Sequence, residues 1–254
     1  MSTRTSVVDL GAAKSVGRVL SDSVRCYGAY VWLFAALTVA VVAPYAVLVW
    51  IIDDQSLFAL TGSYGVSDTL VLFLLPILIV QPFISALHVN ALVEIGQGRA
   101  PALADVFRRG VRALPVVAAA EVMSALGTGL GFILLIVPGI LLLVRWTVVA
   151  QTAAIERVSW LDALRRSAEL TKGNYLHVLG VVISVTVTNL IIGRAIAAVV
   201  GSGASIVQIL VGLAVQTVLL SFAALTTAML YYDLIAREPA SRAQTSSDQP
   251  SSPH

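Results

Sequence analysis

The sequence predicts an all-α fold, a polytopic membrane helical bundle with six transmembrane helices and amphipathic helices at the cytoplasmic interface. Of its 254 residues, 58% are apolar and only 12% are Asp, Glu, Lys or Arg, well below the roughly 25% charged residues of soluble domains. The apolar residues also form long stretches with few charges, and about 20 helical residues cross a hydrocarbon core. These observations exclude a soluble enzyme, a DNA-binding module and a disordered chain.

Residues 1–28 predict a cytoplasmic amphipathic helix. Apolar side chains recur at helical spacing from Ala12 to Tyr27, and Lys14, Arg18 and Arg25 lie on the opposite face. We expect no cleavable signal peptide, because this segment has no uninterrupted apolar core. The first span is therefore expected to be a permanent anchor.

Six apolar stretches follow this helix. They predict spans near 29–52, 69–95, 114–136, 140–156, 175–199 and 206–232. The stretch from Ala113 to Glu156 is too long for one span, and Pro138-Gly139 supplies a turn between two. The glycine- and serine-rich segment 201–205 separates the last two spans. A rival interpretation takes Val122 to Val144 as one charge-free span and gives five helices.

The distribution of basic residues favours six spans. With six, every Lys and Arg except Arg145 and Arg194 lies on one side of the membrane, whereas the loop opposite carries Asp53, Asp54 and Asp68. By the positive-inside rule both termini are then cytoplasmic.

The membrane domain accordingly covers 29–238. Residues 239–254 are rich in Ser, Pro and Gln and too polar to be buried, so they predict a disordered cytoplasmic tail.

Two further amphipathic segments precede the third and fifth spans. They share the string Asp-x-(Phe/Leu)-Arg-Arg-(Gly/Ser), at Asp105–Gly110 and Asp162–Ser167, and Ser159 is placed to cap the second helix. With the first helix they suggest three repeats of a surface helix plus a two-span hairpin. Their basic residues are expected to contact anionic lipid or a protein partner: Arg108, Arg109, Arg112, Arg165, Arg166 and Lys172. The alternative is that these helices are structural elbows at the ends of the bundle.

Polar residues inside the spans are costly in hydrocarbon and need partners. Counted from the turn at Pro138-Gly139, Arg145 comes within reach of Glu121 on the neighbouring antiparallel helix, directly or through Gln151. We therefore predict a buried polar contact among these three residues. It serves either to fix helix register or to bind an anion or proton.

The second span carries Gln81, Ser85 and His88 at spacings that place them on one helical face. Such a stripe either lines a solute path or makes hydrogen bonds between helices. In the third span, the spacing of Gly127 and Gly131 favours close approach of a neighbouring helix.

Catalytic motifs are absent from the sequence. It contains no zinc-peptidase, hydrolase-elbow or nucleotide-binding string. The single cysteine, Cys26, excludes an intramolecular disulfide and a multi-thiolate metal site. We therefore expect no enzyme activity, no cofactor, no metal and no nucleic-acid partner.

The second half of the chain resembles a group of bacterial membrane proteins. The motifs that carry the resemblance are Pro138-Gly139-Ile140, Arg145-Trp146, Glu156, Ala163–Ser167, Lys172-Gly173-Asn174 and Tyr231–Leu234. They are similar to those of the uncharacterised six-helix family related to the membrane domain of glycerophosphoryl diester phosphodiesterases and to YciC-like proteins. That family's final Tyr-x-Asp-Leu is usually followed at once by Arg, whereas Ile235-Ala236 intervene here.

The resemblance implies a multi-pass protein of the bacterial inner membrane with no established activity. The catalytic barrel of the diesterases has no counterpart in this chain. We expect a non-enzymatic protein that organises the membrane or assists a partner, including a second copy of itself. The alternative is a transporter for a small solute or lipid, and a cavity lined by Gln81, His88, Glu121 and Arg145 would favour it. A membrane-embedded enzyme is a third hypothesis, for which a nucleophile is missing.

Overall fold

The computed structural model describes residues 12–52, 74–200 and 206–247. Within these ranges the helices are α1 (Val16–Ala29), α2 (Val31–Ile52), α3 (Gln81–Gly96), α4 (Leu103–Leu134), α5 (Ile136–Arg145), α6 (Val149–Glu156), α7 (Trp160–Thr171), α8 (Tyr175–Val200) and α9 (Ile206–Ser247). A π-helical turn, Pro76–Val80, leads into α3.

Among the residues that the structure describes, six helical segments are long and apolar enough to cross a membrane: Val31–Leu48, Pro76–Gly96, Leu103–Leu134, Ile136–Glu156, Tyr175–Ile196 and Val211–Glu238. Large apolar side chains also point outward, and Trp32 and Leu176 are 86% and 84% exposed. An apolar exterior of this kind requires lipid as its solvent. The predicted all-α membrane bundle is confirmed, and the protein is an integral membrane protein.

The second amphipathic segment is continuous with the third span. We predicted a separate surface helix ending near Leu114, but α4 runs unbroken from Leu103 to Leu134 through Pro115. Its buried positions Val106, Gly110, Val117 and Ala120 keep helical spacing along one face. Because this face continues across the predicted boundary, the helix can stay against its neighbours without turning.

The hairpin between α4 and α5 turns at Leu135, whose backbone is extended with φ −164° and ψ 150°. The predicted turn at Pro138-Gly139 is therefore misplaced by three residues. Pro138 lies in the first turn of α5, where a missing N–H costs no helical hydrogen bond. Gly139 serves helix packing, because its Cα lies 3.0 Å from the position that a Cβ on Gly131 would occupy.

The fourth span is interrupted after Arg145. We predicted an unbroken helix over 140–156, whereas a turn separates α5 from α6. The Arg145 carbonyl accepts hydrogen bonds from the hydroxyls of Ser167, at 2.9 Å, and Thr171, at 3.4 Å, both on α7. These side chains supply hydrogen bonds at the interruption.

The last helix is longer than predicted. It continues to Ser247, into the segment 239–254 for which disorder is predicted, while 248–254 lie outside the described residues.

Ion pairs gather at one end of the bundle, which we call the charged end. There Glu94 of α3 accepts hydrogen bonds from Arg99 and Arg109. On α9, Asp233 lies 2.8 Å from His177 and accepts from Arg237 at 2.9 Å. The backbone N–H of Lys14 also donates to Asp233 and ties the N-terminal segment to the last helix.

Candidate functional site

The strongest candidate site is a cavity of about 500 Å³ between α3, α4, α6, α8 and α9. This volume lies within the range of about 300–1,000 Å³ typical of small-molecule sites. Its polar lining consists of Gln81, Ser85, Glu121, Ser124, Thr128, Thr147, Gln151 and Thr227. Valine, alanine and leucine side chains and the Trp146 indole complete the wall.

Helix α4 directs three polar residues into this cavity. Glu121, Ser124 and Thr128 follow one another at intervals of three and four, which places them on one helical face. Ser85 of α3 lies beside the Glu121 carboxyl group in the same lining. The Glu121 carboxyl group is therefore held beside α3 at the cavity wall.

Glu121 lies deep in the apolar part of the bundle. At about 1.5 Å per residue it is about 18 Å along α4 from Arg109 at the charged end and about 20 Å from Leu134 at the other end. Among the described residues, Glu121 is the one ionisable side chain of the lining. The cavity therefore offers a carboxyl group and further hydrogen-bond acceptors, which suit a proton, a cation or a ligand rich in hydrogen-bond donors.

Gln151 on α6 faces the same cavity with only 2% of its surface exposed. Its Nε2 donates to the Thr227 hydroxyl of α9 at 3.1 Å. Its buried Oε1 has no hydrogen-bond partner among the described residues. A buried acceptor without a partner costs about 1–3 kcal/mol. Because this oxygen is shielded from the cavity, a ligand that brings a donor can reach it only after the Gln151 side chain turns.

The Trp146 indole forms one wall of the cavity and rests on α4 at Gly127. A Cβ on Gly127 would lie 2.4 Å from the indole Cζ3. The glycine therefore makes room for the ring. Close approach at Gly127 was expected from the sequence, but its indole partner was not.

The structure corrects the predicted contact between Arg145 and Glu121. Arg145 is exposed and does not line the cavity, and no ion pair joins it to Glu121 in the described part of the chain. The prediction counted along one continuous helix from Pro138-Gly139. Because the chain turns at Leu135 and the helix is interrupted after Arg145, the Arg145 side chain points in a different direction from the one predicted. Of the three residues, only Glu121 and Gln151 line the cavity.

The predicted stripe on the second span divides between two environments. Gln81 and Ser85 line the cavity, but His88 is fully buried among other helices. Its Nδ1 lies 2.9 Å from the Ile84 carbonyl oxygen, and its ring stacks on Phe34 with centroids 5.2 Å apart. This face of α3 lines the cavity at Gln81 and Ser85. About two turns beyond Gln81, the same face packs against α2 at His88, so His88 has a packing role.

Two of the six basic residues predicted to contact lipid are held in ion pairs within the bundle. Arg109 donates to Glu94 at 2.6 Å. Arg166 donates to Glu238 at 2.7 Å and to Glu156 at 3.2 Å. The hydrogen bond to Glu238 is the main cause of a raised pKa at Arg166, which stays charged. These two arginines connect neighbouring helices, as expected if the amphipathic helices are structural elements at the end of the bundle.

The other four basic residues lie on the surface. The Arg108 guanidinium lies 3.0 Å from the Asp105 carboxylate, and the Arg165 guanidinium lies 3.7 Å from the Asp162 carboxylate. The Arg165 side chain is 69% exposed. Arg112 and Lys172 are exposed as well.

Sequence reasoning missed four polar lining residues, Ser124, Thr128, Thr147 and Thr227. The spacing of Ser124 and Thr128 from Glu121 could have revealed the first two. No comparable signal marks Thr227, because its place depends on how α9 packs against α6.

Comparison of the chain with protein-family models, curated proteins and solved structures finds no match. The fold and the cavity define the class of protein, a multi-pass helical membrane protein with a mostly apolar, partly open cavity that includes the Glu121 carboxyl group.

Proposed function

We propose that the protein is a transporter whose binding site is the cavity at Glu121 and Gln151. Its solute carries a positive charge or several hydrogen-bond donors. The observation that supports this proposal is that Glu121 and Gln151, whose buried amide oxygen has no partner among the described residues, line one cavity far from both ends of α4. Buried polar groups without partners are rare in close-packed bundles.

The proposal is tested by thiol chemistry at Ser124, which lines the cavity beside Glu121. The Ser124→Cys variant in short-chain detergent is treated with a trimethylammonium thiosulfonate reagent and with its sulfonate counterpart. We expect the cationic reagent to react about tenfold faster, which corresponds to about 1.4 kcal/mol. Adding Glu121→Gln should abolish this preference, because the amide keeps the shape of the side chain without its charge.

The control is Thr186→Cys, since Thr186 is exposed on α8 and does not line the cavity. It should show no preference between the two reagents. Equal rates at Ser124→Cys, or a preference that survives Glu121→Gln, would overturn the proposal.

The exposed basic residues support a second candidate function, contact with anionic lipid or a protein partner. Arg165 lies on the same helix as Trp160, which is 42% exposed, and such pairs are typical of membrane interfaces. Changing Arg108, Arg112, Arg165 and Lys172 to Gln should weaken binding to anionic liposomes. Unchanged binding would remove this candidate.

We also propose that the charged end faces the cytoplasm of a bacterial inner membrane, which rests on the positive-inside rule. An impermeant thiol reagent applied to intact cells should then miss a cysteine at Ser159. A cysteine at Ser56, outside the described residues, should react. The opposite pattern would invert the orientation.

A further inference from the structure

The cavity reaches the surface of the bundle at the side, between α4 and the start of α3. Three of the described lining residues are exposed there: Ile77, Gln81 and Ala125. Ile77 alone is 46% exposed. The other lining residues are buried or half-buried. We call the opening between Ile77 and Ala125 the lateral mouth.

The lateral mouth lies at membrane depth. Gln81 is about 22 Å along α3 from Gly96 at the charged end, and Ala125 is about 14 Å along α4 from Leu134 at the other end. Large apolar side chains surround the opening, because Leu78 and Leu126 are exposed beside it. A molecule that passes through this mouth therefore arrives from the hydrocarbon region of the bilayer.

The local backbone also distinguishes this place. The π-helical turn Pro76–Val80 forms one side of the mouth and ends where Gln81 begins. A π-helical turn inserts one residue into the helical register and is frequent at functional sites. Pro82 follows directly and cannot donate a backbone hydrogen bond.

We propose that the ligand is an amphiphile with a cationic amine headgroup that enters the cavity sideways from the bilayer. The headgroup lies at Glu121, whose carboxyl group accepts from its N–H groups, and the Gln151 amide oxygen accepts a further N–H once that side chain turns. The alkyl chain extends through the lateral mouth and stays in contact with lipid. This inference rests on the proposed function and adds the class of ligand and its route.

The chemistry of the cavity favours an amine over other headgroups. A phosphate or carboxylate would meet the Glu121 carboxyl group without a basic partner, because no Lys, Arg or His is among the described lining residues. An alkylammonium group brings one positive charge and three N–H donors. An alcohol of the same chain length has one donor and no charge, so it is the appropriate comparison.

The experiment measures protection of Ser124→Cys in lipid nanodiscs against N-ethylmaleimide, a small uncharged reagent. The protecting compounds are dodecylamine, dodecanol and methylamine. Dodecylamine should slow the reaction at a concentration about tenfold lower than dodecanol requires. The reason is that recognition of the charged amine is expected to contribute about 1.4 kcal/mol to binding. Methylamine should give no protection, since it does not enter from the bilayer.

Two variants test the route. Ala125→Phe narrows the lateral mouth and should abolish protection by dodecylamine. Leu126→Phe adds a ring at the neighbouring lipid-facing position and should leave protection unchanged. Equal behaviour of the two variants would overturn the lateral route.

The outcomes separate this inference from the proposed function. If methylamine protects as well as dodecylamine, the solute arrives from water and the inference falls while the binding site stands. If dodecanol matches dodecylamine, recognition of the amine is refuted. If neither amine protects and the charge preference at Ser124→Cys is also missing, both proposals fail. If that charge preference is present but neither amine protects, the amphiphilic ligand is refuted alone.

Discussion

Two glycines on α4 allow a test of how closely the α4–α5 hairpin is packed. A Cβ on Gly131 would lie 3.0 Å from the Gly139 Cα, 3.0 Å from a Leu142 methyl carbon and 3.1 Å from the Gly139 nitrogen. A Cβ on Gly129, which lies earlier on the same helix, would have no atom within 4 Å. Alanine at Gly131 must therefore push two backbones apart, whereas alanine at Gly129 meets open space.

Both substitutions gain about the same helix propensity, roughly 0.8–1.0 kcal/mol for Gly→Ala. That gain cancels when the two variants are compared, and the difference isolates the cost of overpacking. We expect Gly131→Ala to be less stable than Gly129→Ala by about 1–3 kcal/mol. The assay is reversible unfolding in mixed micelles, followed by circular dichroism. Equal stabilities, or a more stable Gly131→Ala, would refute the close packing of the hairpin.

The remaining predictions concern an ion pair and the single thiol. Arg166→Gln should lower the free energy of unfolding by about 1–3 kcal/mol, because it breaks charged hydrogen bonds to Glu238 and Glu156. The control is Arg165→Gln, on the exposed face of the same helix, which should change the free energy of unfolding by less than about 1 kcal/mol. Burial raises the pKa of the Cys26 thiol to about 12, so this group stays protonated throughout the neutral range. N-ethylmaleimide should therefore leave Cys26 unmodified in the native protein at pH 7–8 and modify it after denaturation, and rapid native labelling would contradict its burial.

The spans and one helix cap could be predicted from the sequence because they depend on local chemistry. Charge-free stretches located the membrane-crossing segments, and their bounds differ from the prediction mainly at the ends. At the start of α7, the Ser159 hydroxyl accepts from the Asp162 N–H at 3.2 Å, as the spacing indicated.

The cavity could be predicted only in part, because its geometry depends on rotation and on packing between distant helices. Glu121 and Gln151 were expected to meet, and they line one cavity. Arg145 was placed with them by counting residues, and one displaced turn was enough to move it to the surface. Thr227 is 76 residues from Gln151 in the chain, so no local pattern relates the two.

The charged end and the cavity depend on the same pair of helices. On α6, Gln151 faces the cavity and Glu156 joins the charged end, and on α9 the corresponding partners are Thr227 and Tyr231. The Gln151 amide donates to Thr227 at 3.1 Å, and the Tyr231 hydroxyl donates to Glu156 at 3.0 Å. Each helix is a rigid rod over these short intervals, so the contact at Glu156 fixes the register of α6 against α9. Because Arg166 holds Glu156 in place, the ion pairs at the charged end also position the amide that the ligand is proposed to meet.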